Sequence, residues 1–238
     1  MTSNAVELSS ARARRTPTPI LETGDVLSRD EFERRYHLMP NVKKAELIEG
    51  VVHMPSPVRF DFHAAPHADL ITILGNYRTF TPGVRVADNT SVRLDMDNEP
   101  QPDAILIINP QTGGQVHLSP DNYIEGVPEL VAEIAASSVG IDLNRKLHVY
   151  RRNEVREYLV WRVLDEEFDW FVLRGSQFEK LTPDGDGRLC SEVFPGLWLN
   201  VPALLRGDML TVFQTLQQGI ASEAHQAFCE TLSQKMKT

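Results

Sequence analysis

Three ionisable residues stand where a globular chain seldom leaves them. Asp103 heads the apolar run "DAILII", Glu133 interrupts "LVAEIA", and Lys146 lies within "IDLNRKLHVYRRN". A carboxylate in such a strand is costly unless something pairs with it. By strand alternation Val131, Glu133 and Ala135 share one face. At about 100° per helical residue, Leu143, Leu147 and Tyr150 form a stripe with Lys146 on its edge, while Arg145, His148 and Arg152 point away. Taken singly, each residue has a plain explanation. Asp103 would cap a turn after Pro102, Glu133 would pair with an arginine, and Lys146 would snorkel or pair with Asp142 at i,i+4. Taken together they point to a shared cation. Two desolvated acids on neighbouring strands repel, and a hard divalent ion such as Mg²⁺ or Mn²⁺ relieves both problems, with the carbonyl of Ile134 as a further oxygen ligand. Such a site activates water and braces charge on a phosphate, with the Lys146 amine orienting the water or steadying the phosphate oxygens. The expected chemistry is phosphodiester hydrolysis without a covalent intermediate.

Other combinations carry less. His63 and His67 have the i,i+4 spacing of a zinc pair, but no third ligand presents itself, HExxH is absent, and Pro66 lies between them. Cys190 and Cys229 stand alone, which excludes a CxxC site and argues against a disulfide framework. "TPDGDGR" lacks EF-hand spacing and reads as a hairpin loop. Neither GxGxxG nor GxxxxGK[ST] occurs, so the two common nucleotide-binding loops have no support.

The elements that must position the trio follow from pattern. Ser28 with Glu31 has capping-box spacing, so a short helix starts there. "AELIEGVVHMPSP" predicts a hairpin turning near Glu49-Gly50 and stopped by Pro55 and Pro57. "HAAPHADLITILGNY" predicts a helix beginning close to His63, because Pro66 is tolerated only in a first turn. "VRVADNTSVRLD" gives two short strands. "DAILII" and "LVAEIA" give buried strands, with "INPQTGGQVHLSPDNYIEG" as a long loop between them. A helix over 141–153 leads to a strand in "REYLVWRV", and "DWFVLRGSQFEKL" predicts a hairpin with Gly175 at its turn. "MLTVFQTLQQGIASEAHQAFCETLSQK" closes the chain as helix. The expected class is α/β or α+β with one central mixed sheet.

The 238 residues are 42% hydrophobic and 24% charged, enough for one large domain with tails. The expected division is a flexible tail over 1–24, a core over 25–208 and a helical extension over 209–238 that packs on the domain or on a second subunit, as in a homodimer. There is no apolar run of about 18 residues to span a membrane. The N-terminus lacks an apolar signal core, so a cytoplasmic location is expected. The net charge of −9 argues against a general polyanion-binding surface but leaves room for a local basic groove.

Read in order, "AELIEGVV", "MPSP", "HAAPHADL", "QPDAILII", "GVPELVAEIAASS", "DLNRKLHVYRRNEVREYLVW" and "FPGLWL" carry a resemblance running from about Ala45 to about Leu205. The chain resembles the PD-(D/E)XK nuclease superfamily and, more closely, the Uma2 family of restriction-endonuclease-like proteins. The resemblance implies a restriction-endonuclease-like core, a central mixed sheet flanked by helices with added hairpins. It implies a Mg²⁺-dependent endonuclease acting on DNA, with Asp103 and Glu133 as the metal-binding acids. The lysine usual two residues after the glutamate is here Ala135, and Lys146 matches the family's displaced lysine. Glu46 matches the acid of an early hairpin and Gln101 a frequent neighbour of the PD pair. His63 matches the histidine after "PSP", and Asp142 keeps the helix acid although "AASSVGID" departs from the family's usual loop. Two other functions remain in view: a non-catalytic partner or regulatory protein on a nuclease scaffold, and a metal-dependent hydrolase of RNA or another phosphodiester.

Overall fold

Strands buried on both faces read as unbroken apolar runs, and the three longest such runs form the centre of the fold. The computed structural model describes residues 19–54 and 58–237. Most of the expected tail, and the prolines expected to stop the first hairpin, lie outside the described residues.

In chain order, α1 (Arg29–Tyr36) is followed by β1 (Glu46–Ile48) and β2 (Val51–His53). A π-helical turn (Phe60–Ala64) runs into α2 (Ala65–Phe80), then come β3 (Val84–Asp88), β4 (Val92–Arg93) and β5 (Ala104–Ile108). A 3₁₀ turn (Pro110–Thr112), β6 (Val116–Leu118), β7 (Ile124–Gly126) and β8 (Leu130–Ala135) follow. A second π-helical turn (Ile141–Lys146) runs into α3 (Leu147–Arg152) and leads to β9 (Glu157–Arg162). β10 (Glu167–Arg174) and β11 (Gln177–Lys180) form a hairpin. β12 (Arg188–Cys190), β13 (Trp198–Asn200), α4 (Val201–Leu205), α5 (Met209–Ile220) and α6 (Glu223–Lys235) complete the chain.

The main sheet has the order β11-β10-β9-β8-β5-β3. Its one parallel pair is β8–β9, joined by the helical crossover through α3; the other pairs are antiparallel. The fold is therefore a mixed α/β arrangement around one large mixed sheet, as expected from the sequence. Alternation sorts the buried residues between two cores. Leu106, Ala132, Ile134 and Trp161 face the core built with α2, α4, α5 and α6. Ile105, Val131, Ala135, Tyr158 and Val160 face a second core closed by α3 and the small β4-β7-β6 sheet. Glu133 shares the parity of Val131 and Ala135, so it enters the second core. The β1–β2 hairpin turns on Glu49 and Gly50, both at positive φ (54° and 72°). That is the geometry of a two-residue hairpin loop whose twist matches its strands. It packs with Phe32 of α1 into a third small core.

Three expectations are corrected. The segment expected to be a long loop before β8 contains the 3₁₀ turn and the β6–β7 hairpin. Its strands are three residues long, too short to show alternation, and β7 finds its other partner in β4, earlier in the chain. The C-terminal helix is two helices, because Ser222 leaves the helix and caps α6 by accepting from the His225 N–H at 3.3 Å. "TPDGDGR" is not a hairpin loop, since β12 pairs with β13 rather than β11. Asp184 closes it by accepting from the N–H groups of Asp186 and Arg188. Val212, Leu216 and Leu232 of the last two helices belong to the first core. Among the described residues no helix is long and apolar enough to cross a membrane.

Candidate active site

The site begins where β5 begins. Ala104 pairs with Ala132 in the antiparallel register, and one further step sets Asp103 opposite Glu133. There the Asp103 side chain replaces a backbone acceptor: its Oδ2 receives the Ile134 N–H at 2.8 Å. Lys44, from the segment before β1, reaches Oδ1 at 2.9 Å, and His63 Nε2 lies 3.2 Å from Oδ2. His67, one helical turn on, donates from Nε2 to the Asp103 carbonyl at 2.8 Å. Pro66 falls in the first turn of α2, as its missing N–H requires.

The crossover helix supplies the second half. Lys146 Nζ is 2.8 Å from Glu46 Oε1, 2.9 Å from Glu133 Oε1 and 3.7 Å from Asp142 Oδ1. Tyr150, four residues on, donates its hydroxyl to Glu133 Oε1 at 3.0 Å. Glu46 also accepts the Gln101 N–H at 2.8 Å, tying the β1–β2 hairpin to the strand entering β5. The helix stripe holds: Lys146 and Tyr150 are buried, while Arg145, His148 and Arg152 are exposed. What periodicity could not show is that 141–146 is a π turn. π turns are rare and recur at functional sites. Here one carries Asp142 and Lys146, and the other carries His63.

Burial and charge set the protonation states. Burial pushes the Glu133 carboxyl up to about 8; Lys146 opposes the rise, and Asp103, Asp142 and Glu46 add to it. Burial likewise raises Asp142. For Asp103 burial acts in the same direction but loses. The His63 hydrogen bond, the Lys44 charge and the Ile134 N–H together hold this carboxyl below the usual range. Burial opposes the charge on Lys146, yet Glu133, Glu46 and Asp142 outweigh it and keep the amine protonated. Lys44 is raised in the same way, against burial, by Asp103, Glu133 and Glu46, so the two halves form one electrostatic unit.

The structure brings together Glu46, Glu133, Asp142 and Lys146, and sets Asp103 beside them with His63. Gln101 joins through its backbone. Ile134 meets Asp103 through its N–H rather than its carbonyl. Lys44 and the Tyr150 hydroxyl were missed from sequence, and His67, weighed there only as half of a zinc pair, holds the Asp103 carbonyl. Lys44 sits beside the exposed Lys43 in a segment without periodicity, so nothing local distinguishes it. Tyr150 had one signal: a buried tyrosine needs a partner for its hydroxyl, and it lies one turn from Lys146.

Four buried carboxyl groups stand beside two lysines and supply hard oxygen donors. That donor set suits a hard cation. Among the described residues no three His, Cys, Asp or Glu side chains are arranged to hold a metal by themselves. His63 and His67 both direct Nε2 at Asp103, the first at its carboxylate and the second at its carbonyl. Two acids with remaining positions open is instead the manner in which Mg²⁺ is usually bound, with waters and substrate phosphates completing its shell.

A large mixed sheet carrying buried acids on adjacent strands, with a lysine from the crossover helix, defines a nuclease-like α/β protein. The chain belongs to the Uma2 family, whose model, described as "Putative restriction endonuclease", matches residues 29–202. Among solved structures, one from Anabaena variabilis, described as a "putative nuclease belonging to DUF820", is similar with a TM-score of 0.54. Identity is 15%, covering 73% of this chain and 96% of that one, which shows a shared fold. No curated protein matches the chain.

Proposed function

We propose that the chain is a Mg²⁺-dependent endonuclease that hydrolyses phosphodiester bonds of DNA, with Mn²⁺ able to serve. The observation that carries the reading is the meeting of Asp103 and Glu133 on paired strands, with the Lys146 amine 2.9 Å from Glu133. Asp103, Glu133 and the Ile134 carbonyl would hold the cation. Bound there, the cation would supply a water of lowered pKa and a Lewis acid for the phosphate charge. The chain's own residues prepare that chemistry. Lys44 and His63 keep Asp103 ionised and aimed. Lys146 and Tyr150 fix one oxygen of Glu133, and Glu46 with Asp142 holds Lys146 in place. Held by Glu46 and Asp142, the Lys146 amine would be placed to orient water or to donate to a phosphate oxygen. Lys44, about one-fifth exposed, is the second amine within reach of a bound phosphate.

Plasmid cleavage with Mg²⁺ or Mn²⁺ tests this directly. Wild type should nick or linearise DNA, and Glu133→Ala and Asp103→Asn should not. Mn²⁺ should also raise the melting temperature of wild type and leave Asp103→Asn unmoved. An RNA of the same sequence, run in parallel, decides the substrate. Cleavage by Glu133→Ala, or none by wild type under either metal, would overturn the reading.

A further inference from the structure

The π turn that carries His63 also presents surface that the acid cluster does not use. Phe60 and Phe62 lie in that turn, just before His63, and are 74% and 40% exposed. One exposed apolar side chain needs no explanation. Here two of the chain's ten phenylalanines stand in water within three residues of the imidazole that meets Asp103. Among the described residues neither packs into any of the three cores. The turn that holds them is fixed by its backbone. The His63 and Ala64 N–H groups both bind the Arg59 carbonyl, at 3.0 and 3.1 Å. Arg59 therefore stands one turn from His63, and both phenylalanines lie between them.

Charge on the neighbouring segments is arranged to match. Each segment that brings a basic group to the acids also carries an exposed cation. Lys43 precedes Lys44, Arg145 precedes Lys146, and Arg59 lies one turn before His63. Over 41–46, 58–64 and 141–146 the one exposed acid is Asp61. A chain of net charge −9 thus presents three exposed cations on the segments that reach its buried acids. That is the local basic rim a phosphate backbone requires, set here beside bare aromatic faces.

We propose that Phe60 and Phe62 stack on unpaired bases of the substrate strand beside the cut, so that the site takes single-stranded or locally unpaired DNA in preference to duplex. The proposal rests on the nuclease reading and names the form of its substrate. In a duplex the base faces are covered by neighbouring pairs, and contacts to phosphates serve both forms. A bare phenylalanine face gains only from a base whose own face is free. It has no hydrogen-bonding edge, so it takes any base and reads no sequence. Lys43, Arg59 and Arg145 hold phosphates along the strand. Asp61, between the two rings, repels phosphate and leaves that part of the surface to the bases.

Binding is read apart from cleavage, by fluorescence anisotropy of a labelled oligonucleotide titrated with the full chain in chelator at low salt, as single strand and as duplex. Wild type should prefer the single strand by about fivefold or more, the worth of one base–aromatic stack. Phe60→Ala combined with Phe62→Ala should weaken the single-stranded complex by about fivefold or more and leave the duplex unmoved. Replacing both by tryptophan should restore binding, and melting curves confirm that all variants fold. Arg59→Ala should instead flatten the salt dependence of single-strand binding by roughly 0.7 in the log–log slope. The same oligonucleotides are then incubated with Mg²⁺ or Mn²⁺. Cleavage by wild type, with binding of both forms unchanged in the double alanine variant, would overturn the stacking role and leave the nuclease standing. Phenylalanine-dependent binding of single strands without cleavage under either metal supports the stacking surface and overturns the nuclease reading. Equal losses on single strand and duplex would overturn the preference for unpaired DNA in favour of a wedge between stacked pairs. A wild-type dimer in sedimentation that the double alanine variant dissociates, with DNA binding unmoved, would overturn the proposal in favour of a second copy of the chain.

Discussion

Glu133→Gln isolates the cost of placing a carboxylate in the second core. The amide keeps the shape of the side chain and an oxygen for Lys146 Nζ and the Tyr150 hydroxyl, but it cannot ionise. In wild type, burial raises the Glu133 carboxyl from 4.5 to about 8. The native state therefore holds a proton that the unfolded chain has already released. Stability from this group is complete below pH 4.5 and is lost as pH rises through about 8. At about 1.4 kcal/mol per pH unit the full loss approaches about 5 kcal/mol. Glu133→Gln has no such proton to lose. In chelator the two proteins should be nearly equal at pH 4.5, and the variant should be more stable by up to about 5 kcal/mol at pH 9. Urea unfolding followed by tryptophan fluorescence at pH 4.5, 7 and 9 reads this out, with equal slopes in denaturant confirming that only stability has changed. Parallel pH dependence in the two proteins would refute the claim that burial dominates at Glu133.

Other perturbations follow from the same contacts. Lys146→Met leaves Glu46, Glu133 and Asp142 without their shared cation and should cost about 3–5 kcal/mol at pH 8. The loss should shrink at pH 5, where Glu133 and Asp142, both raised by burial, carry less charge, and equal losses at both pH values would show that the lysine acts by packing alone. Tyr150→Phe removes one hydrogen bond to Glu133 and should lower stability by about 1–2 kcal/mol by urea midpoint, with an unmoved midpoint arguing against that bond. Gly114→Ala would set a methyl carbon 1.8 Å from the Ile108 carbonyl oxygen, so the turn after β5 must shift. Its thermal unfolding should show a loss of about 3 kcal/mol, and a wild-type melt would mean the turn yields freely.

Local chemistry was legible where a residue's neighbours in sequence decide its fate. The runs around Leu106, Ala132 and Leu159 announce central strands because both faces are apolar. Ser28 announces a helix start, and Glu49-Gly50 announces a hairpin. The stripe of Leu143, Leu147 and Tyr150 turned Lys146 inward before any contact was known. Tertiary structure alone decided what the buried acids do. Glu129, Glu133 and Glu157 are all fully or nearly fully buried in or beside central strands. Glu129 accepts the N–H groups of Ile108 and Gln115, and Glu157 those of Glu192 and Val193, so both bind backbone. Only Glu133 of these three meets a lysine. Lys44 reaches Asp103 across 59 residues, and β4 finds β7 across about thirty. Backbone pattern and side-chain period are local quantities and survive in a string of letters. The partner of a charge is set by which strands lie side by side, and only the folded chain establishes that.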